Sequence, residues 1–121
     1  MSIKTYEDLV AWQYGHEVTK EVYRWTRGFP REELYGLVQQ IRRAAGSVPA
    51  NIVEGFARRR PLDKARLYNI AESSADELGY WIRLASEIGY GEDVSALREK
   101  VKSTARLVRR LTDATLARAG R

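Results

Sequence analysis

The sequence predicts an all-α protein, an antiparallel up-and-down four-helix bundle formed by one domain over residues 1–121. Apolar residues recur at spacings of three and four through most of the chain, which is the period of an amphipathic helix. Glycine and proline interrupt this pattern near residues 28–30, 60–61 and 89–91, dividing the chain into four segments. Segments two to four have about 28 residues each, and the short connections between them require antiparallel neighbours. No β-hairpin pattern competes with this interpretation.

The first helix is expected over about residues 6–27 and the second over about residues 31–57. Thr5 and Asp8 form an N-cap pair for the first helix, and Pro30 suits the start of the second. The predicted apolar face of the first helix consists of Leu9, Trp12, His16, Thr19, Tyr23 and Thr26. That of the second consists of Leu34, Leu37, Val38, Ile41, Ala45, Val48, Ile52 and Phe56. Because this face stays in phase across Pro49, we predict a kink there and not a stop.

The third helix is expected over about residues 61–88 and the fourth over about residues 92–118. Gly89 and Gly91 permit the left-handed backbone that ends a helix, and Glu92 and Asp93 suit the start of the next one. The apolar face of the third helix is predicted at Leu67, Ala71, Ser74, Leu78, Trp81, Ala85 and Ile88. That of the fourth is predicted at Val94, Leu97, Val101, Thr104, Val108, Leu111 and Thr115.

Composition argues against most enzyme classes. There is no cysteine and a single histidine, His16, which we interpret as a core or rim residue because it falls on the apolar face. No Glu-x-x-His, Glu-x-x-Glu or Glu-x-x-Asp spacing occurs, and Gly-x-Gly occurs only at residues 89–91 without a following lysine. We therefore expect a non-enzymatic protein without metal or cofactor. The lack of a long apolar run predicts a soluble, cytoplasmic protein that does not contact membranes.

Aromatic residues have two predicted roles. Trp12, Tyr23 and Trp81 lie on apolar faces and are expected in the core. Four tyrosines fall outside those faces, where contact with another subunit is favoured over stacking on nucleic-acid bases: Tyr14, Tyr35, Tyr80 and Tyr90.

The net charge of +5 is unevenly distributed along the chain. Residues 1–57 are neutral overall, whereas residues 58–70 are basic, with five bases and one acid. Residues 71–99 are acidic, with two bases and seven acids. Residues 100–121 are basic again, with seven bases and one acid. Segregated positive charge favours binding to the phosphates of RNA or DNA. The candidate residues are Arg42, Arg43, Arg58, Arg59, Arg60, Lys64, Arg66, Arg98, Lys102, Arg106, Arg109 and Arg110. Alternatively, part of this charge pairs with acidic residues of the third helix, namely Asp76, Glu77 and Glu87.

Several sequence stretches resemble the 23S rRNA intervening-sequence protein family, also called S23 or four-helix-bundle proteins. They are YEDLVAWQ at 6–13, FPREELYGL at 29–37, QIRRAA at 40–45, SVPANIVEGFARR at 47–59 and NIAESSADEL at 69–78. The resemblance runs from about residue 5 to about residue 90, whereas the fourth helix matches in character only. The chain departs from the common family wording at Val53, Ala57, Ala75 and Asp76, which are packing positions.

The resemblance implies a four-helix bundle that assembles as a homopentamer and has no assigned enzymatic activity. Within the motif, Pro49, Asn51, Glu54 and Gly55 are interpreted as structural. Asn51 is expected to bond carbonyls released by Pro49, and Glu54 to anchor an arginine. Our leading hypothesis is a nucleic-acid-binding scaffold, and the second is a protein-interaction adaptor. For the adaptor, the resemblance suggests a reverse transcriptase as the partner, because the similar accessory variability protein of diversity-generating retroelements binds one. A weaker third hypothesis is a hydrolase that gathers Glu54, Glu72 and Glu77 around a metal ion.

Overall fold

The structure, a computed structural model, describes residues 2–120 and contains four α-helices in this range. They are α1 (Val10–Thr26), α2 (Leu37–Ala57), α3 (Pro61–Glu87) and α4 (Ser95–Ala119). Short 3₁₀ turns at Tyr6–Asp8 and Arg31–Glu33 precede α1 and α2. Each helix packs against its neighbours in the chain, and α1 also packs against α4, which closes the bundle. The predicted four-helix fold is confirmed.

Three helices begin later than predicted because local backbone geometry interrupts them. Thr5 and Asp8 form the expected capping box, but they cap a 3₁₀ turn, and the extended backbone of Leu9 separates that turn from α1. Gly36 has a non-helical backbone (φ −114°, ψ −106°), so α2 begins at Leu37 and not at residue 31. The carboxylate of Asp93 accepts hydrogen bonds from the backbone N–H and hydroxyl of Ser95, and α4 begins there.

The other helix ends match the sequence pattern closely. Pro61 occupies the first turn of α3, where its missing N–H is not needed. Gly89 and Gly91 both have positive φ, at 91° and 78°, as predicted for the connection between α3 and α4.

The core consists of two apolar clusters, one towards each end of the bundle. One cluster is centred on Val22, Ile41, Leu78, Ile82 and Val101. The other contains Ala11, Val48, Ile52, Tyr68 and Val108. Each cluster draws on all four helices, as expected for antiparallel neighbours.

The predicted apolar faces of α2, α3 and α4 are largely correct, and the exceptions lie mostly at helix ends. Leu34, before α2, and Ile88, after α3, are exposed, whereas Phe56, Leu67, Trp81 and Leu111 are half-buried. The remaining predicted positions of these faces are buried.

The predicted face of α1 is wrong except at Thr26, which is buried as predicted. The buried residues are Ala11, Gly15, Val18, Val22 and Thr26, which lie one position away from most of the predicted ones. His16 and Tyr23 are exposed, and Trp12 is half-buried and stacks on His16. The buried face of α1 therefore consists of small and medium-sized residues, and the aromatic side chains indicate the wrong face.

The helix α2 continues through Pro49, so the predicted absence of a stop is confirmed, whereas the predicted kink stays a prediction. Proline has no N–H to donate to the carbonyl of Ala45, four residues earlier. The hydroxyl of Thr19 in α1 donates to this carbonyl at 3.1 Å. Asn51, the predicted partner, instead donates to the carbonyl and hydroxyl of Ser47. The assignment of the freed carbonyl to Asn51 was therefore wrong, and the contact that replaces it joins α1 to α2.

Glycines permit close contact between helices at two places. A Cβ atom on Gly55 would lie 2.6 Å from Cε1 of Tyr68, so the tyrosine ring of α3 packs directly on the backbone of α2. A Cβ atom on Gly15 would lie 3.1 Å from Cγ1 of Val48, where α1 meets α2 beside Pro49. The contact with the Tyr68 ring therefore gives a physical reason for the packing role predicted for Gly55.

Candidate nucleic-acid interface

The antiparallel topology gathers positive charge at one end of the bundle. The end of α2, the start of α3 and the end of α4 meet there, because Arg60 and Ala119 line one surface groove and Lys64 and Arg118 line a neighbouring cavity. We call this region the basic end and define it by Arg58, Arg59, Arg60, Lys64, Arg66 and Arg118. Residues 58–70 and the last part of the chain, which are the two basic segments of the sequence, therefore become adjacent.

The connection between α2 and α3, together with the start of α3, presents three arginines to solvent without ion pairs. Arg58, Arg59 and Arg66 are exposed, and none forms an ion pair with a carboxylate within residues 2–120. Arg58 and Arg66 line the same groove. Arg60 differs, since its Nε atom lies 2.9 Å from a carboxylate oxygen of Asp63.

Lys64 is held by the protein itself. Its Nζ atom donates to the backbone carbonyl of Phe56 at 2.6 Å and lies over the Phe56 ring. This carbonyl belongs to the last turn of α2, whose final carbonyls have no partner within the helix. Burial, and to a smaller extent the charge of Arg118, lowers the pKa of Lys64. The side chain therefore caps α2 as well as contributing charge.

Four of the candidate cations form a basic stripe along α4, because they recur at spacings of four, four and three: Arg98, Lys102, Arg106 and Arg109. Acidic residues partly neutralise this stripe. Arg109 lies 3.6 Å from a carboxylate oxygen of Glu72 in α3 and 3.7 Å from one of Asp113. Lys102 pairs with Glu99 at 3.6 Å. The remaining stripe residues, Arg98 and Arg106, are exposed, and so is Arg110 beside the stripe. The stripe is therefore a weaker candidate than the basic end.

The acidic residues proposed as partners of the stripe have other roles. Glu87 pairs with Arg83 of its own helix, and Glu77 accepts a hydrogen bond from the indole N–H of Trp81. Asp76 lines a groove with Arg98 and Lys102 but forms no ion pair among the residues described. The ion pair between α3 and the stripe, which the sequence predicts for Asp76, Glu77 or Glu87, is made instead by Glu72.

Arg42 and Arg43 do not join the basic end. They lie near the start of α2, and at the helical rise per residue Arg42 is about 24 Å along the axis from Arg58. Arg42 donates to the hydroxyl of Thr26 at 2.9 Å and stacks over the ring of Tyr23 at 4.6 Å. These contacts fix Arg42 against α1, whereas Arg43 is exposed and bonds Gln40.

Sequence reasoning missed Arg118, which belongs to the basic end. Its position in the basic last segment, combined with the antiparallel topology, was a usable signal. Tyr23 was also missed as a surface residue, because it falls in phase with an apparent apolar face. It provides the ring over which Arg42 lies.

Three of the four tyrosines that were placed outside the core are exposed. Tyr35 has 85% of its surface exposed, Tyr80 has 56% and Tyr14 has 38%. Tyr90 differs, because it packs on the core and its hydroxyl donates to a carboxylate oxygen of Glu33 at 2.8 Å. This bond raises the pKa of Tyr90. Three tyrosines are therefore available for contact with other molecules.

The carboxylates proposed for metal-dependent hydrolysis do not converge. Glu54 is exposed and has no ion pair within residues 2–120, so the expected anchoring of an arginine by Glu54 was wrong. Glu72 pairs with Arg109, and Glu77 bonds Trp81. The part of the chain that the structure describes contains no group of three or more His, Cys, Asp or Glu residues arranged to hold a metal ion.

Among residues 2–120, none of the helices combines the length and the apolar composition that a membrane span requires.

Comparisons with known proteins place the chain in a family. The model of the 23S rRNA-intervening sequence protein family matches residues 7–110. A comparison with curated proteins finds no match. Among solved structures, the chain is similar to a protein of unknown function from the S23 ribosomal protein family of Bacteroides thetaiotaomicron VPI-5482. The two share 21% sequence identity and a TM-score of 0.61, over 91% of this chain and 98% of that one. The chain belongs to the 23S rRNA-intervening sequence protein family.

Proposed function

We propose that this protein is a non-enzymatic scaffold that binds RNA or DNA through the phosphates of the nucleic acid. The observation that carries the proposal is the basic end, where Arg58, Arg59 and Arg66 are exposed and have no carboxylate partner among the described residues. Guanidinium groups bind phosphate oxygens through two parallel hydrogen bonds, and unpaired ones need not break an existing ion pair first.

Contacts of this kind give affinity with little base specificity. Phosphate contacts position a protein on nucleic acid, whereas sequence is read at base edges by side chains that enter a groove. The basic end lies around the connection between α2 and α3 and the start of α3, where arginines reach solvent without an ion pair among the described residues. The proposed ligand is therefore RNA or DNA recognised by its backbone.

We also propose that the protein assembles as a homopentamer, as the family resemblance implies. Exposed apolar side chains on several helices support self-association, including Tyr35, Leu62, Tyr80 and Val10. In a ring, each basic end would be repeated, so several weak phosphate contacts would act together. Light scattering after size-exclusion chromatography should give about five times the chain mass of 13.9 kDa. A monomer at micromolar concentration would contradict the pentamer without affecting the proposal of phosphate binding.

A titration of fluorescent structured RNA at two salt concentrations tests nucleic-acid binding directly. Because each phosphate contact releases counterions, the affinity should fall steeply between about 50 mM and 200 mM salt. An unstructured RNA of the same length and a DNA duplex should also bind, since the contacts do not depend on base identity. The absence of binding at low salt would contradict the proposal.

A second candidate function is a protein-interaction adaptor, such as an accessory subunit of a reverse transcriptase. It is favoured by an open groove between α1 and the start of α2, which exposes Leu34, Tyr35 and Tyr23 beside Arg42 and Arg43. Aromatic residues next to arginines are typical of protein interfaces. Under this alternative, substitution of Tyr35 and Arg43 would abolish partner binding, whereas substitution of Arg58 and Arg59 would have little effect.

A further inference from the structure

A largely apolar cavity of about 160 Å³ lies beside the basic end, between the N-terminal segment and helices α2, α3 and α4. Leu9, Phe56 and Leu111 form much of its wall. Engineered apolar cavities of about 150 Å³ bind benzene, so this cavity has room for one ring or a branched aliphatic group. Lys64 and Arg118 of the basic end line the cavity, whereas Arg58, Arg59 and Arg66, the arginines on which the phosphate proposal rests, do not.

Four polar side chains line the same cavity: Lys64, Tyr68, Arg118 and Thr115, whose hydroxyl already donates to the carbonyl of Leu111. Lys64 and Arg118 contribute cations, and neither forms an ion pair with a carboxylate within residues 2–120. Tyr68 is only 2% exposed, yet its hydroxyl has no hydrogen-bond partner among these residues. The hydroxyl oxygen itself is accessible within the cavity, so it can bond to water or to a ligand there.

Tyr68 is held in place by its packing. Its ring lies against the backbone of Gly55, where even a methyl group would collide with it. Burial raises the pKa of the Tyr68 phenol, and the charge of Arg118 acts in the opposite direction on the same group. The phenol is therefore a neutral hydrogen-bond donor at physiological pH, and it lines the same cavity as Arg118.

We propose that this cavity binds a small organic monocarboxylate with one aromatic ring or a branched aliphatic group. The apolar part would occupy the space between Leu9, Phe56 and Leu111. The carboxylate would accept hydrogen bonds from the Tyr68 hydroxyl and the Arg118 guanidinium, with Lys64 supplying further positive charge while it continues to cap α2.

A monoanion fits this site better than a dianion. The walls are mostly apolar, and transfer of charge into such surroundings is costly unless donors compensate it. The planar carboxylate matches the fork of the Arg118 guanidinium and leaves an oxygen for the Tyr68 hydroxyl. The proposal does not depend on nucleic-acid binding, because Arg58, Arg59 and Arg66 lie outside the cavity lining.

Calorimetry and NMR with benzoate and phenylacetate at pH 7 test this site, with benzamide as the neutral analogue. We expect both carboxylates to bind and to shift the methyl resonances of Leu9 and Leu111. Benzamide and the variant Arg118→Gln should each show binding weakened by about tenfold or more. Tyr68→Phe, which keeps the ring, should weaken benzoate binding by a smaller factor. Arg110→Gln removes the same charge from α4 outside the cavity and should leave binding unchanged.

The absence of benzoate binding up to about 10 mM would overturn the proposal, because a site with a Kd of about 1 mM would be nearly full at that concentration. Equal binding of benzamide and benzoate would overturn it as well. Equal loss in Arg110→Gln and Arg118→Gln would indicate surface charge alone. Tighter binding of phenyl phosphate than of benzoate would reject the monocarboxylate assignment. Since Arg118 is exposed, its variant should fold, and a wild-type NMR spectrum confirms this before binding is measured.

Discussion

Gly55 shows how one residue of the family motif determines a contact between helices. The ring of Tyr68, which is almost fully buried, lies where a side chain on Gly55 would be. Gly46, in the same helix, has no atom within 4 Å of the position that a Cβ would take. Two glycines of α2 are thus expected to respond oppositely to the same substitution.

Gly55→Ala should lower the free energy of unfolding by about 1–3 kcal/mol, because the tyrosine ring or the backbone must shift to admit the methyl group. Gly46→Ala should raise it by up to about 1 kcal/mol, because alanine favours the helix and meets no neighbour. Urea denaturation measures both. Equal stability of the two variants would show that Gly55 does not control the contact between α2 and α3.

The carboxylate of Asp8 gives a pH-dependent contact at the residue scale. It accepts hydrogen bonds from the backbone N–H groups of Lys4, at 2.8 Å, and Thr5, at 3.0 Å, and these bonds lower its pKa. The capping contact is complete above the unfolded-state pKa and is lost as pH falls through the lower native value. An NMR titration should show Asp8 titrating below the ordinary aspartate pKa, together with the Lys4 and Thr5 amides. Unchanged amide resonances through that transition would contradict the cap.

At the scale of elements, α2 continues through Pro49 because α1 supplies a replacement donor. The single proton of the Thr19 hydroxyl is shared between the Ala45 carbonyl, at 3.1 Å, and the Gly15 carbonyl of its own helix, at 2.8 Å. The periodic pattern of α2 correctly predicted an uninterrupted helix. It gave no information about the donor, because Thr19 is 26 residues away from Ala45 in the sequence.

Thr19→Val should destabilise the protein by about 1–3 kcal/mol, since it removes the donor from a carbonyl in the helix contact. In the background Pro49→Ala the cost should be smaller, because residue 49 then has an N–H for Ala45. Urea denaturation of both single variants and the double variant gives this coupling. Thr19→Ser retains the hydroxyl and serves as the control. Strict additivity would indicate that Thr19 and Pro49 act independently.

The sequence predicted three helix faces well and one poorly, for a physical reason. In α2, α3 and α4 the buried positions are mainly aliphatic and small residues, so the period of the pattern follows the core. In α1, Trp12 and Tyr23 lie beside small residues, and the larger apolar side chains suggested the wrong face. Gly15, which packs beside Val48 and Pro49 of α2, has no hydrophobic side chain to indicate that it is buried.

At the scale of the whole molecule, charge is segregated between ends as well as along the chain. The basic segments 58–70 and 100–121 were evident from the sequence, but their meeting at one end depends on helix direction. Which cations remain unpaired depends on individual distances, such as the one between Arg109 and Glu72. The sequence therefore predicted the charge, whereas the structure separates the exposed arginines of the basic end from cations engaged within the bundle.

The most direct test of phosphate binding at the basic end compares two triple variants that each lose three positive charges. One carries Arg58→Gln, Arg59→Gln and Arg66→Gln at the basic end. The other carries Arg24→Gln, Arg27→Gln and Arg31→Gln, which are exposed residues at the opposite end. Affinity for structured RNA is measured across a salt series for both variants and for the wild type. We expect the first variant to lose most of its affinity and to show a shallower dependence on salt, while the second stays close to the wild type. Equal losses in the two variants would contradict a localised interface at the basic end.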